Sequence, residues 1–333
     1  MNSVPTRNLI EPFEKIDELV CGTGFASETV VARTRAFQSA LKPDRPLCRM
    51  IADSLLDIPG AQVAVFTGFV VPGKYPVGEN DGPLGAAALA RALLNAGLRP
   101  TIHVDPEVLE TTRWLLAELS ADVGVVSIGS SSTVLPVSID VAIAIEKPGA
   151  NSAGAMHTAD GARIAGGSKP VDRLFLDLHH AGTMTLGIGD QGNEIGFGTL
   201  GEALGKINPR TQTCTCGCGC GIAAATPTRY LYPAAVSNWG AYGLAAALAL
   251  LLGDGSATLR PEEEKRMLHV AAVHGCCDGV HRRGMYGIDG IAGDVSVRLV
   301  GALHDLVHEE IARGSKKTPV RDTIESGNEA LRE

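Results

Sequence analysis

Basic charge is scarce in this chain. Lys and Arg number 29 against 37 Asp and Glu, a formal net charge of -8 over 333 residues. No basic field exists to attract nucleic acid or an anionic membrane, so neither is an expected partner. Long apolar runs are also missing. The longest, residues 240–252, is shorter than the roughly 20 residues of a membrane-spanning helix and reads as a buried helix. Near the start, Glu11, Glu14, Asp17 and Glu18 stand where an export signal needs an apolar stretch, which points to a cytoplasmic protein. Eight cysteines are too few for a disulfide scaffold in a chain of this length, so reduced thiols are expected. There is no G-x-S-x-G, no G-x-x-x-x-G-K-[ST], no H-E-x-x-H and no internal repeat, which argues against an α/β-hydrolase, a P-loop enzyme or a zincin. A composition 45% hydrophobic and 20% charged still buries a sizeable core, and a small molecule is the expected ligand.

The pattern changes near residue 60. Before it, residues 6–57 carry mixed charge with apolar residues at helical spacing, as in Phe13, Ile16, Leu19 and Val20, and read as two or three helices. After it, short β-branched runs alternate with amphipathic stretches, the signature of βαβ units and a mostly parallel sheet. Strands are expected at 62–66, 101–104, 123–127, 141–145 and 184–188. Helices are expected at 83–97, opened by Pro83 and closed by Gly97, and at 236–252, 261–274 and 295–312. The Gly/Ala/Ser-rich stretch 151–168 reads as a loop or flap. The expected organisation is a helical N-terminal extension (1–58), an α/β Rossmann-like domain whose sheet is covered by helices (59–315), and a frayed tail (316–333).

Two strand-to-helix loops concentrate acids and glycines. The first, TGFVVPGKYPVGENDGP at 67–83, brings Glu79 and Asp81 to a helix N-terminus. There the helix dipole favours acids, and Asp81 could be a simple N-cap. Alternatively, both carboxylates face the crevice in which open α/β sheets bind ligands. The second, LGIGDQGNEIGFG at 186–198, sets Asp190, Asn193 and Glu194 among five glycines. Gly187, Gly189 and Gly192 fit G-x-G-x-x-G, but Asp190 would put a carboxylate inside a pyrophosphate cradle and no ribose-binding acid follows about 20 residues on. Neither NAD nor flavin is therefore expected. The loop suits a divalent cation or a substrate ammonium better. Glu146 and Lys147 end a strand in the same way.

Other polar residues carry less. Asp172, Asp177, His179 and His180 lead into the glycine loop, and His304 and His308 share a helix without a zincin motif. Cys214, Cys216, Cys218 and Cys220 alternate with Thr and Gly. That is no zinc spacing, and a buried strand of small residues is the default reading.

Taken together, TGF at 67–69, ENDGPLGA at 79–86, GIGDQGNEIGFG at 187–198 and SNWGAYGL at 237–244 resemble the D-glutamate cyclase family over roughly residues 60–300. The resemblance implies a Rossmann-like α/β fold, conversion of D-glutamate to 5-oxo-D-proline with loss of water, and a divalent metal, Mg or Mn, in the acidic loops. On that reading Asp190, Glu194, Glu79, Asp81 and Glu146 supply metal ligands or a base, and Asn193 is an oxyanion or substrate donor. Lys74 or Lys147 pairs with the α-carboxylate, Gly189, Gly192 and Asn238 touch the substrate, and the protein is a homo-oligomer. Two rivals are a metal-dependent hydrolase or phosphatase on the same loops and a non-catalytic binder of an amino acid or nucleotide.

Overall fold

The computed structural model describes residues 10–129 and 138–316; the tail expected beyond 316 lies outside them. Six strands form one sheet: β1 (Gln62–Thr67), β2 (Arg99–Val104), β3 (Gly124–Ser127), β4 (Val141–Ile145), β5 (Met184–Gly189) and β6 (Tyr230–Pro233). Their order is β3-β2-β1-β4-β5-β6, parallel throughout. This is the doubly wound Rossmann order, in which the winding reverses between β1 and β4 and opens a crevice at their C-terminal ends.

Five of the six strands fall where the sequence places them. The sixth, β6, has four residues and ends in Pro233, a residue that sheets admit mainly at an edge, and an edge is where β6 lies.

The two faces of the sheet are covered unequally. Val63, Val65, Ile102, Val104, Ile143 and Ile188 belong to the main core, packed with α4 (Pro83–Asn95), α5 (Leu109–Glu118) and α8 (Ser237–Leu252). The alternate residues, including Ala64, Phe66, Ala142 and Ala144, form a smaller cluster with Phe175 of α6 (Asp172–His180) and Ile195. On that second face Gly187 is required by packing, because a Cβ there would lie 2.4 Å from the Ile195 carbonyl oxygen. Helix α8, the expected buried helix, is enclosed from Ser237 to Ala249. Among the described residues no helix is long and apolar enough to cross a membrane.

The N-terminal region forms α1 (Glu11–Val20), α2 (Glu28–Ala40) and α3 (Leu47–Leu56), and α1 and α3 share the main core. Asp17 of α1 ties them together. Its carboxylate accepts the Leu47 and Cys48 amides at the start of α3 and the Tyr232 hydroxyl of β6. The chain continues through α7 (Glu202–Ile207) and α9 (Pro261–Val273). It ends in a hairpin, β7 (Gly287–Ile288) and β8 (Ile291–Ala292), followed by α10 (Gly293–Lys316).

The cysteine run departs from expectation. It is an irregular loop in which Gly217, Gly219 and Gly221 have φ of +75°, +73° and +67°, so the chain cannot stay extended. Cys216 and Cys220 are exposed, and Cys214 and Cys218 are half-buried.

Candidate active site

Loops from the C-terminal ends of β1, β4 and β5 meet at the switch point around a cavity of about 280 Å³. Glu79, Glu146, Asp190, Asn193 and Asp289 line it, together with Arg33, Gln191, Tyr75 and Thr158.

Glu146, Asp190 and Glu194 are buried, and one ligand oxygen from each lies within 4.8 Å of the others. Each is fixed by a different neighbour. The Ser237 hydroxyl donates to Glu146 at 2.5 Å, and Gln191 Nε2 donates to Asp190 at 2.6 Å. The Gln191 and Gly192 amides donate to Glu194 at 3.2 and 2.8 Å. Burial, followed by the charge of Glu194, drives the Glu146 carboxyl well above its usual range. Burial and then Asp289 and Glu194 do the same to Asp190, opposed by Arg33. Burial raises Glu194 too, against the pull of its two amide donors. Three hard oxygen donors that resist ionisation together suit a divalent cation such as Mg or Mn. Asn193 Oδ1, buried without a partner, is a further free acceptor.

Glu79 and Asp289 form a second pair. Burial and then the partner Asp289 raise the Glu79 carboxyl; burial and then Asp81 raise Asp289. Their closeness leaves no room beside them, since a Cβ on Gly279 would lie 1.8 Å from Glu79 Oε1 and 2.7 Å from Asp289 Oδ1. Glu146 and Asp289 also have positive φ, +46° and +48°. In Asp289 this is the ordinary conformation of an Asp-Gly hairpin turn, whereas in Glu146, directly after β4, it is strain of the kind found at sites held for function.

Arg33 is the one cationic residue lining the cavity among the described residues. Its guanidinium is 4.0 Å from Asp190, and its Nε and one Nη are buried without hydrogen-bond partners. Five fixed donors with several unused suit an incoming carboxylate.

A family model for D-glutamate cyclase-like proteins, C-terminal, matches residues 30–304. The chain belongs to the D-glutamate cyclase-like family. It is also 29% identical over 215 residues to the mitochondrial D-glutamate cyclase of Homo sapiens, a stretch that covers 57% of this chain and 33% of that protein. The chain thus spans about a third of that relative's length. The region shared with the cyclase-like family begins inside α2 and takes in both Arg33 and Asp289.

Several residues assigned from sequence occupy other positions in this cyclase-like fold. Asp81 is not the cap of its own helix and does not line the cavity. Its carboxylate accepts the Ser237 and Asn238 amides at the start of α8 as well as the Gly82 amide. Asn238, expected on the substrate, returns the arrangement: its Oδ1 accepts the Gly82 and Gly85 amides at the start of α4, and its Nδ2 donates to the Asn80 carbonyl. Lys147 is fully buried, 2.6 Å from Asp105, and also donates to the Gly68 carbonyl, so it is withdrawn from any α-carboxylate. Lys74 is bound to both oxygens of Asp160 outside the cavity lining. Gly189 and Gly192 shape the loop without lining the cavity, because Glu194 occupies the space beside Gly189 and takes the Gly192 amide. Asn193 Nδ2 already donates to the His157 carbonyl, which leaves an acceptor rather than the expected donor.

Sequence reasoning missed Arg33 and Asp289. Arg33 sits in an ordinary amphipathic helix and carries no local signal. Asp289 had one: Asp-Gly between Ile288 and Ile291 is a two-residue hairpin turn, with φ of +48° and +76° at the two positions.

Proposed function

We propose that the chain interconverts D-glutamate, or a close analogue, and 5-oxo-D-proline by intramolecular loss or gain of water. The observation that carries this reading is a buried triad of carboxylates, two of which, Glu146 and Asp190, line one cavity at the switch point together with an unsatisfied arginine. In cyclisation the α-amino nitrogen bonds to the carbon of the γ-carboxylate, one oxygen of that carboxylate leaves, and two protons of the ammonium depart with it as water. The Arg33 guanidinium anchors the α-carboxylate. The acceptor oxygen of Asn193 faces the ammonium. Glu79 and Asp289, held close enough to share a proton, take protons from nitrogen and return them to the departing oxygen, a task suited to carboxyls raised toward neutrality. A divalent cation held by Glu146, Asp190 and Glu194 would neutralise the triad and supply positive charge beside the γ-carboxylate. Holding the substrate folded back provides the proximity that open-chain glutamate lacks in water.

The test is incubation of the protein with each glutamate enantiomer and each 5-oxoproline enantiomer, with Mg or Mn, followed by chiral mass spectrometry. Interconversion within the D series is expected. Absence of conversion of any of the four compounds would overturn the reading.

A further inference from the structure

Beyond the acidic cavity, a second cluster of metal-ligand chemistry lies where the 151–168 loop meets the cysteine loop. His157, Cys214, Cys216 and Cys218 each bring one ligand atom to within 4.8 Å of the others. Cys214 Sγ is 3.4 Å from Cys218 Sγ and 3.7 Å from Cys216 Sγ, and His157 Nε2 is 3.1 Å from Cys216 Sγ. These separations are not those of an extended chain. Residues two apart on a strand are about 6.6 Å apart along its axis. The glycine turns at 217 and 219 instead gather three sulfurs, and a histidine 59 positions away in sequence completes the group. A tetrahedral ion with metal–sulfur bonds of about 2.3 Å and a metal–nitrogen bond of about 2.0 Å places its ligand atoms about 3.5 to 3.8 Å apart, close to what is observed.

We infer that His157, Cys214, Cys216 and Cys218 form a Cys3His site for a single zinc ion, separate from the acidic cavity. Soft thiolate and imidazole donors select zinc, whereas the carboxylate triad selects a hard cation, so the two sites do not compete for one metal. Four protein ligands close the coordination sphere, as in a structural site. The surroundings are ordered to match. Asn151 Nδ2 donates to Cys218 Sγ at 3.3 Å and to the Gly221 carbonyl at 2.7 Å, and Thr215 binds the Gly161 carbonyl through both its amide and its hydroxyl. Donation to a ligand sulfur is a common feature of the shell around such ions. The site staples the cysteine loop to the loop that carries Thr158 of the cavity wall, and the His157 carbonyl holds Asn193.

Cobalt(II) is the probe. Purified full-length protein, stripped of metal under reducing conditions, is titrated with cobalt(II), recorded by absorption spectroscopy and then challenged with zinc. One equivalent per chain is expected to produce thiolate-to-cobalt charge-transfer bands and intense tetrahedral ligand-field bands, which zinc abolishes. The bands should persist in Asp190→Asn and in Cys220→Ser, which lies outside the cluster. They should vanish in Cys216→Ser combined with Cys218→Ser, whose folding is checked by circular dichroism. Zinc should also protect the cluster thiols of the unmodified protein from alkylation, a readout that needs no variant. Absence of a thiolate band at saturating cobalt would overturn the assignment, as would equal alkylation with and without zinc.

Discussion

Arg33 reaches the cavity from a helix in the N-terminal region and leaves donors unused, which makes it the natural partner of a substrate carboxylate. Truncating a charge-assisted contact costs about 1.5–3 kcal/mol, equivalent to roughly 10- to 100-fold. Arg33→Ala should therefore raise KM by about that factor in steady-state assays. Arg33→Lys should recover only part of the loss, because a point charge cannot reproduce the fork. Asp190 and Glu194, adjacent in the same loop, should behave differently from each other. Asp190 faces the cavity and receives one side-chain donor, whereas Glu194 receives the amides that shape the turn. Asp190→Asn should lower kcat by about 100-fold or more while leaving Tm unchanged or raised, since it relieves carboxylate repulsion. Glu194→Gln should lose turnover and also melt earlier. Kinetics and calorimetry on the same preparations would separate the two roles. The acids of this loop were legible in the sequence because glycine density marks a backbone built for shape. Arg33 was not, since no local pattern links a helical arginine to a loop 157 positions away.

At the scale of elements, α4 and α8 cap one another across the switch point. Asp81, just before α4, accepts amides of α8, and Asn238 on α8 accepts amides of α4. Two helix N-termini are thereby fixed beside the acids they flank. Asn238→Ala would leave the buried Gly85 amide unpaired, at about 1–3 kcal/mol, and would remove one of the two acceptors of the Gly82 amide, which keeps Asp81. For a chain of this size about 1–2 °C is lost per kcal/mol, so a drop of a few degrees in Tm is expected, measured by differential scanning calorimetry. Asn238→Asp, which keeps an acceptor, should lose less through this cap. Sequence periodicity located both helices and both loops, because Pro83 and the apolar run of α8 are local signals. The reciprocal cap was invisible to it: a cap is read as serving the next helix in sequence, and here each serves the other's.

For the whole molecule, buried acids set an unusual dependence on pH. Burial, followed by Asp190, pushes Asp81 up to about 8 from 3.8, and burial pushes Glu264, beneath Ser296 and Tyr242, up to about 7 from 4.5. Such groups hold more protons when folded. The stability they contribute is complete below about pH 4 and is lost as pH rises through about 7 to 8. Glu263 runs the opposite way: burial works against it, but Arg260 and Arg91 hold it down to about 2, so its contribution disappears only in acid. Metal-free protein should therefore melt highest in mildly acidic buffer and lose Tm toward pH 8. Added Mg or Mn should raise Tm on the alkaline side, because a bound cation stabilises the ionised triad, while the loss through Glu264 remains. A thermal-melt series across pH, with chelator and with divalent ion, would check both limbs.

The claim on which the account rests is that this cavity makes and breaks the bond between the α-nitrogen and the γ-carboxylate carbon of D-glutamate. Solvent oxygen exchange reads that event directly, even where equilibrium favours one side. D-glutamate is incubated in 18O-enriched water with the protein and Mn or Mg, and label in the γ-carboxylate is followed by mass spectrometry. Repeated closing and reopening should load 18O into the γ-carboxylate of D-glutamate, far faster than in the L enantiomer and at least about 100-fold more slowly with Asp190→Asn. No incorporation above the protein-free rate, or incorporation unaffected by Asp190→Asn, would contradict the account.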